Sequence, residues 1–120
     1  MQNDWFFLKF LPAKMINRAM RLIVFFDLPT KTKADRRRYA QFRKFLIDHG
    51  FMMLQFSVYV RITRNHDDLS KYIRVIEHHR PQKGDVRCLR ITEKQYASIK
   101  LIIGSDEHLP DYGTDDLIEC

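Results

Sequence analysis

Between Arg21 and Asp27 the chain reads RLIVFFD, and the five residues Leu22 to Phe26 contain no polar interruption. Successive side chains of a strand point to opposite faces, so an apolar run without alternation predicts a strand buried on both faces, at the centre of a sheet. The run is far shorter than the roughly 20 apolar residues a membrane helix needs, so no span is expected. Pro29 disfavours a helix through Leu28, and Thr30 or Thr32 can cap the helix that follows. From Lys33 to His49, the residues Tyr39, Phe42, Leu46 and His49 recur at helical spacing and give one apolar face, which Gly50 terminates.

The rest of the chain continues the same alternation of element types. Phe51 to Ile62 is too long for one flat strand and reads as two consecutive strands or one kinked strand, with the bend at Gln55 to Ser57. Asp67 or Asp68 is placed to cap a second helix whose apolar face is Leu69, Tyr72, Ile73 and Ile76, closed by Pro81 and Gly84. Asp85 to Thr92 reads as a strand, Thr92 with Gln95 as a capping box for one short turn, and Ser98 to Ile103 as a final strand. The expected fold class is therefore α+β: a ferredoxin-like βαββαβ domain with an additional C-terminal strand, an antiparallel sheet, and helices on one face. Two helices cover only one side, yet Leu22 to Phe26 and Phe51 to Leu54 are apolar on both. A second copy packed through the other face, as a twofold homodimer, is the economical cover. The domain is expected over 20–104, with an N-terminal extension over 1–19, Met20 as an alternative start, and an acidic tail over 105–120.

Charge separates the body from the tail. Residues 1–100 carry all 21 Lys and Arg against nine of the 15 acids, whereas the last 20 residues carry six acids and no base. A field of that sign draws polyanions, and nucleic acid is the commonest such partner. The nine Phe and five Tyr are too many for a solvated disordered chain. Cys88 and Cys120 form no CxxC motif, and the five His show no zinc-ligand spacing, so neither a disulfide framework nor a zinc site is expected and the chain reads as cytoplasmic. The N-terminal Trp5-Phe6-Phe7-Leu8 run is broken by Lys9, Pro12 and Lys14 before it reaches signal-peptide length.

Two features could carry chemistry. Asp27 stands at the carboxyl end of the central strand, rigidly held. It is either a turn-forming residue before the helix or an oxygen ligand for a hard divalent cation, doubled across a dimer axis. Lys31, Lys33, Arg36, Arg37, Arg38, Arg43 and Lys44 crowd the first helix and its approach. Helical spacing puts Arg36 with Arg43, and Arg37 with Lys44, away from the Tyr39, Phe42 and Leu46 stripe, as a surface for a phosphate backbone. Ser57, Ser70, Ser98 and Ser105 have no nucleophile-elbow setting, and no phosphate-binding glycine loop is present. An RNA-recognition module shares the element order, but its aromatic central-strand signature is missing from Phe51 to Val58 and from Asp85 to Thr92.

The segments LIVFFDLPTKT, RRRYAQFRKFLIDHGF, MLQFSVYVR, PQKGDVRCLRITEKQY and SIKLIIG, in this order over about residues 20–104, resemble the CRISPR-associated Cas2 family in the version that accompanies single-effector type II systems. The resemblance implies a ferredoxin-like homodimer that joins the larger CRISPR-associated integrase subunit, and possible further type II adaptation proteins, in capturing double-stranded DNA as new spacers. It also implies metal-dependent endonuclease activity with Mg²⁺ or Mn²⁺. The family's metal-binding Asp at the end of the first strand falls on Asp27, expected to be both catalytic and metal-binding. The expected nucleic-acid contacts are Lys33, Arg36, Arg37, Arg43 and Lys44. Met53 stands where many members carry Arg, and the rival readings are a stand-alone Mg²⁺-dependent nuclease and a single-stranded RNA-binding module.

Overall fold

Residues 19–104 of the 120 are described in the computed structural model. The chain runs through β1 (Met20–Asp27), α1 (Lys33–Asp48), β2 (Met52–Gln55), β3 (Val58–Thr63), α2 (His66–His78), β4 (Asp85–Thr92) and α3 (Glu93–Ala97). The strands pair antiparallel in the order β2-β3-β1-β4, so β1 takes a central place, as its two-sided apolarity requires. This is the expected ferredoxin-like α+β arrangement. The 1–19 extension, apart from Ala19, and the acidic tail over 105–120 lie outside the described residues.

The period-two geometry of β1 divides the interior. Leu22, Val24 and Phe26 face α1 and α2, packing with Phe42, Leu46, Leu69 and Ile76 in the main core. Ile23 points the other way and meets Met52, Val60 and Tyr96 in a smaller cluster. On that second face the single chain leaves a groove of about 460 Å³ whose walls include Ile23, Phe25, Leu54, Val58, Leu89 and Ile99.

Local signals set most boundaries. Thr32 caps α1 in a reciprocal box: its hydroxyl accepts from the Asp35 amide at 3.0 Å, and the Asp35 carboxylate accepts from the Thr32 amide at 3.2 Å. At the other end Gly50, with φ +83°, sends its amide to the Ile47 carbonyl, and the Phe51 amide reaches the Leu46 carbonyl, both at 3.0 Å. That pair of bonds is a Schellman ending, which favours glycine because it needs the left-handed conformation.

The Phe51 to Ile62 segment forms two consecutive strands, one of the two expected readings, and folds back as a β2–β3 hairpin where Phe56 and Ser57 make a tight turn with Ser57 at φ +62°. Two local expectations differ from the structure. The second helix is capped by Asn65, whose side chain accepts from the Asp68 amide at 2.9 Å, while the Asp68 carboxylate reaches back to the Arg64 amide. The helix thus starts at His66, earlier than Asp67 or Asp68 as cap would allow. The additional strand expected at Ser98 to Ile103 is not formed in the single chain. Instead α3 turns the backbone off the β4 edge and sets Ile99 over the open face, where no strand edge runs alongside it; Ile102 and Ile103 stay 82% and 91% exposed.

Candidate metal and nucleic-acid site

One end of the sheet collects the last residue of β1, the β2–β3 turn, the first residues of β4 and the approach to α1. Asp27 lies there, exposed, on the face that the helices leave open. Its cross-strand partner in the β1–β4 register is Asp85, also exposed. Asp27, Asp85 and Arg87 line one cleft of about 200 Å³ with Phe25, Ser57 and Val58. Gly84, at φ +95°, makes the juxtaposition possible. A Cβ there would run into the Asp27 carbonyl oxygen and the Leu28 backbone, so only glycine lets β4 start this close to the end of β1.

Like charges directly opposite on neighbouring strands destabilise a sheet. A cation held between facing acids such as Asp27 and Asp85 would offset that repulsion. Its donors are hard carboxylate oxygens, open to solvent, and among the described residues no group of three or more His, Cys, Asp or Glu gathers as a closed cage. Two carboxylates with the remaining positions left to water and substrate phosphate suit Mg²⁺, or Mn²⁺, better than a structural metal. Asp85 was not singled out from sequence. Only the antiparallel register of β1 with β4 places it opposite Asp27.

The five expected nucleic-acid contacts are all exposed on α1, where they fall on two adjoining strips. Lys33 and Arg37 are exposed on the outer side of α1, roughly opposite the buried Phe42 and Leu46, as is Lys44, which pairs with Asp48 at 2.7 Å. Arg36 folds back on the loop leaving Asp27: its Nη1 donates to the Thr30 carbonyl at 3.2 Å and to the Lys31 carbonyl at 3.0 Å. Arg43 lies beside the buried Tyr59 phenol, where burial pushes the phenol up and the Arg43 guanidinium opposes that shift. Arg36 and Arg43 are the i−3 and i+4 neighbours of Tyr39, so these two share a flank that continues onto the β2–β3 turn. Arg38, in turn, is paired with Asp35 at 3.2 Å.

The family model described as CRISPR-associated protein Cas2 matches residues 20–99. The chain is 51% identical over 85 residues to a protein of Acidovorax ebreus named CRISPR-associated endoribonuclease Cas2, covering 71% of this chain and 83% of that one. Proteins of the same name from Treponema denticola and Lacticaseibacillus rhamnosus are 46% and 42% identical, each over 88 residues that cover 73% of this chain and 87% of theirs. No helix among the described residues is long and apolar enough to cross a membrane.

Proposed function

The chain belongs to the CRISPR-associated Cas2 family, and we propose that it acts there as a dimeric nucleic-acid-binding subunit of spacer acquisition that can also hydrolyse a phosphodiester bond at Asp27. The observation that carries this reading is the exposed Asp27–Asp85 pair at the rim of an uncovered apolar sheet face. A second copy seated on that face would cover Phe25 and Leu89, which are exposed in the single chain. The partner's strand edge would also give Ser98 to Ile103 something to pair with. Docking through this face would bring two Asp27 clefts into one assembly, suiting a subunit that grips duplex DNA while the larger integrase subunit joins strands.

For cleavage, Asp27 and Asp85 would hold the cation, and Arg87 in the same cleft would draw in the phosphate that both carboxylates would otherwise repel. A bound Mg²⁺ or Mn²⁺ supplies an activated water and charge neutralisation at phosphorus. The relatives' name, endoribonuclease, favours RNA as the cleaved strand, while the flank of α1 that carries Arg36 and Arg43 suits backbone contacts of any sequence.

Replacing Asp27 tests the two activities separately. Asp27→Ala is expected to lower Mg²⁺-dependent cleavage of short RNA and DNA by about 100-fold or more, the scale of losing a metal-centred activation. Sedimentation should still give a species near twice 14.5 kDa. Spacer acquisition that continues in cells carrying the variant supports the scaffold role. Loss of acquisition with dimer and fold intact would make cleavage the primary function. A wild-type chain that stays monomeric at micromolar concentration would overturn the dimeric reading.

A further inference from the structure

Phe56, at the tip of the β2–β3 turn, is 76% exposed. The structure holds it there at a cost. Ser57 takes a left-handed conformation that L-residues other than Gly, Asn and Asp adopt only with strain. Two bonds secure that conformation: the Ser57 hydroxyl shares a 3.0 Å hydrogen bond with the Tyr39 phenol, and the Ser57 carbonyl accepts from the Phe26 amide at 3.1 Å. The ring of Phe56 lies nearly parallel to that of Tyr39, 5.8 Å between centroids and 17° between planes. Tyr39 in turn meets Phe26 at 5.6 Å, and Phe26 stacks on the buried Tyr59 at 5.7 Å. An aromatic ladder therefore rises from the core and ends in one solvent-facing ring.

That ring has a charged setting. Phe56 borders the cleft that contains Asp27, Asp85 and Arg87. Its stacking partner Tyr39 is flanked on α1 by Arg36 and Arg43. An apolar platform that shares a cleft with Arg87, beside a helix flank that carries Arg36 and Arg43, fits a ligand that is flat and aromatic in one part and anionic in the next, which describes a nucleotide whose base is not paired. The geometry points to Phe56, backed by Tyr39, as a stacking step for one unpaired base of a strand whose phosphates cross the Asp27 cleft. This inference rests on the reading that the cleft meets a sugar–phosphate chain, and it deepens that reading by giving the strand an anchor. A paired base would leave only its edge for the ring, so the step favours single strands, flaps or frayed ends over a blunt duplex. RNA and DNA both present such a base, so the chemistry is shared and the test separates the sources.

The experiment uses the full chain with Ca²⁺ in place of Mg²⁺ or Mn²⁺, so that the carboxylate pair is neutralised while metal-activated cleavage is suppressed. A 12-nucleotide single strand carrying one 2-aminopurine, made both as RNA and as DNA, is titrated by fluorescence beside a blunt duplex of the same sequence. Base–aromatic stacking is worth about 1–3 kcal/mol, so Phe56→Ala should weaken single-strand binding about tenfold more than duplex binding and remove the stacking quench. Phe56→Trp should keep both affinity and quench, while Phe56→Leu, apolar but without a stacking face, should behave like the Ala variant. Equal losses on single strand and duplex, or full single-strand affinity and quench in Phe56→Leu, would overturn the stacking step. So would a loss of dimer in Phe56→Ala by sedimentation, which would make a second copy the occupant of this ring. If the wild type binds neither single strand nor duplex at low salt, the nucleic-acid reading of the cleft fails as well. Duplex binding by the wild type with no Phe56 effect on single strands removes only the step proposed here. The ratio of RNA to DNA affinity in the wild type identifies the favoured source.

Discussion

Glu93→Ala should be among the most damaging single substitutions in the domain, although Glu93 lies in a short surface helix far from the main core. Arg21 is 0% exposed at the start of β1, on the face the long helices do not cover. Its Nε donates to both Glu93 carboxylate oxygens at 3.1 and 2.9 Å, its Nη2 donates to Oε1 at 2.9 Å, and its guanidinium lies 4.4 Å over the Tyr96 ring. At an effective dielectric constant of about 20, opposite charges about 4 Å apart attract by about 4 kcal/mol. Removing one partner of such a buried pair costs about 3–5 kcal/mol, because the remaining charge stays desolvated. The Glu93 side chain keeps 16% of its surface, so water can partly replace it and the lower end, about 3 kcal/mol, is the expected loss. For a domain of this size that corresponds to a melting temperature lower by about 10–20 °C.

Urea and thermal unfolding at one fixed protein concentration read this directly, since the apparent stability of any self-associating chain depends on concentration. The double variant Arg21→Met/Glu93→Leu removes both charges and should return to within about 1 kcal/mol of the wild type. A Glu93→Ala loss below about 1 kcal/mol would refute the reasoning, as would a double variant no better than the single one. Either result would mean that Tyr96 and its neighbours hold α3 in place without the ion pair.

Gly50→Ala should cost about 2 kcal/mol by urea unfolding, because the residue has φ +83° and a Cβ would displace the Arg61 guanidinium from the His49 carbonyl and the Tyr72 ring; Gly50→Asn, tolerant of that φ, should recover only the backbone part of the loss. Asp35 is held below its ordinary 3.8 chiefly by the Thr32 amide, against the opposing effect of its burial. A depressed folded-state value adds stability above 3.8 that disappears as pH falls from there through the folded value, so the melting-temperature gap between wild type and Asp35→Ala should be flat above about pH 5 and shrink only below about pH 4. On a duplex, Arg36→Ala/Arg43→Ala should flatten the salt dependence of log affinity by up to about two units per subunit. Arg37→Ala/Lys44→Ala should flatten it less, since Lys44 already pairs with Asp48; equal slopes would show that the outer side of α1 also carries phosphates.

What could be read from residue order was whatever depends on local chemistry. The unbroken apolar run named β1 as central, Thr30 or Thr32 and Gly50 marked the ends of α1, with Thr32 the cap the structure uses, and Thr92 with Gln95 marked the short helix after β4. The uncovered apolar face was also legible, because Ile23 and Phe25 had no helix to meet. What escaped depends on strands brought together from a distance. Asp85 gains meaning only through its register with Asp27. Phe56 and Tyr39 read as ordinary hairpin and core residues until the turn brings one ring onto the other. Arg36 and Lys44 looked equivalent to Arg37 in a charge count. Their side chains are distinguished by the loop carbonyls and the Asp48 carboxylate they reach, which periodicity does not report.

The same register that builds the core also builds the candidate site, so the two cannot be tuned independently. Along β1 the even positions Leu22, Val24 and Phe26 enter the helix-covered core, and the odd positions Ile23, Phe25 and Asp27 face the open side. A slip of one residue would turn Asp27 under α1 and bring Phe26 out. Burying that carboxylate without a partner costs several kcal/mol, and Phe26 would lose its contacts with Tyr39, Phe42 and Tyr59 at the same time. Phe26 also donates its amide to Ser57, so the slip would release the strained turn that holds Phe56 outward. Packing in the core therefore sets where the carboxylate pair, the neighbouring Arg87 and the exposed ring can stand, and a core substitution at Phe26 should disturb nucleic-acid binding before it abolishes the fold.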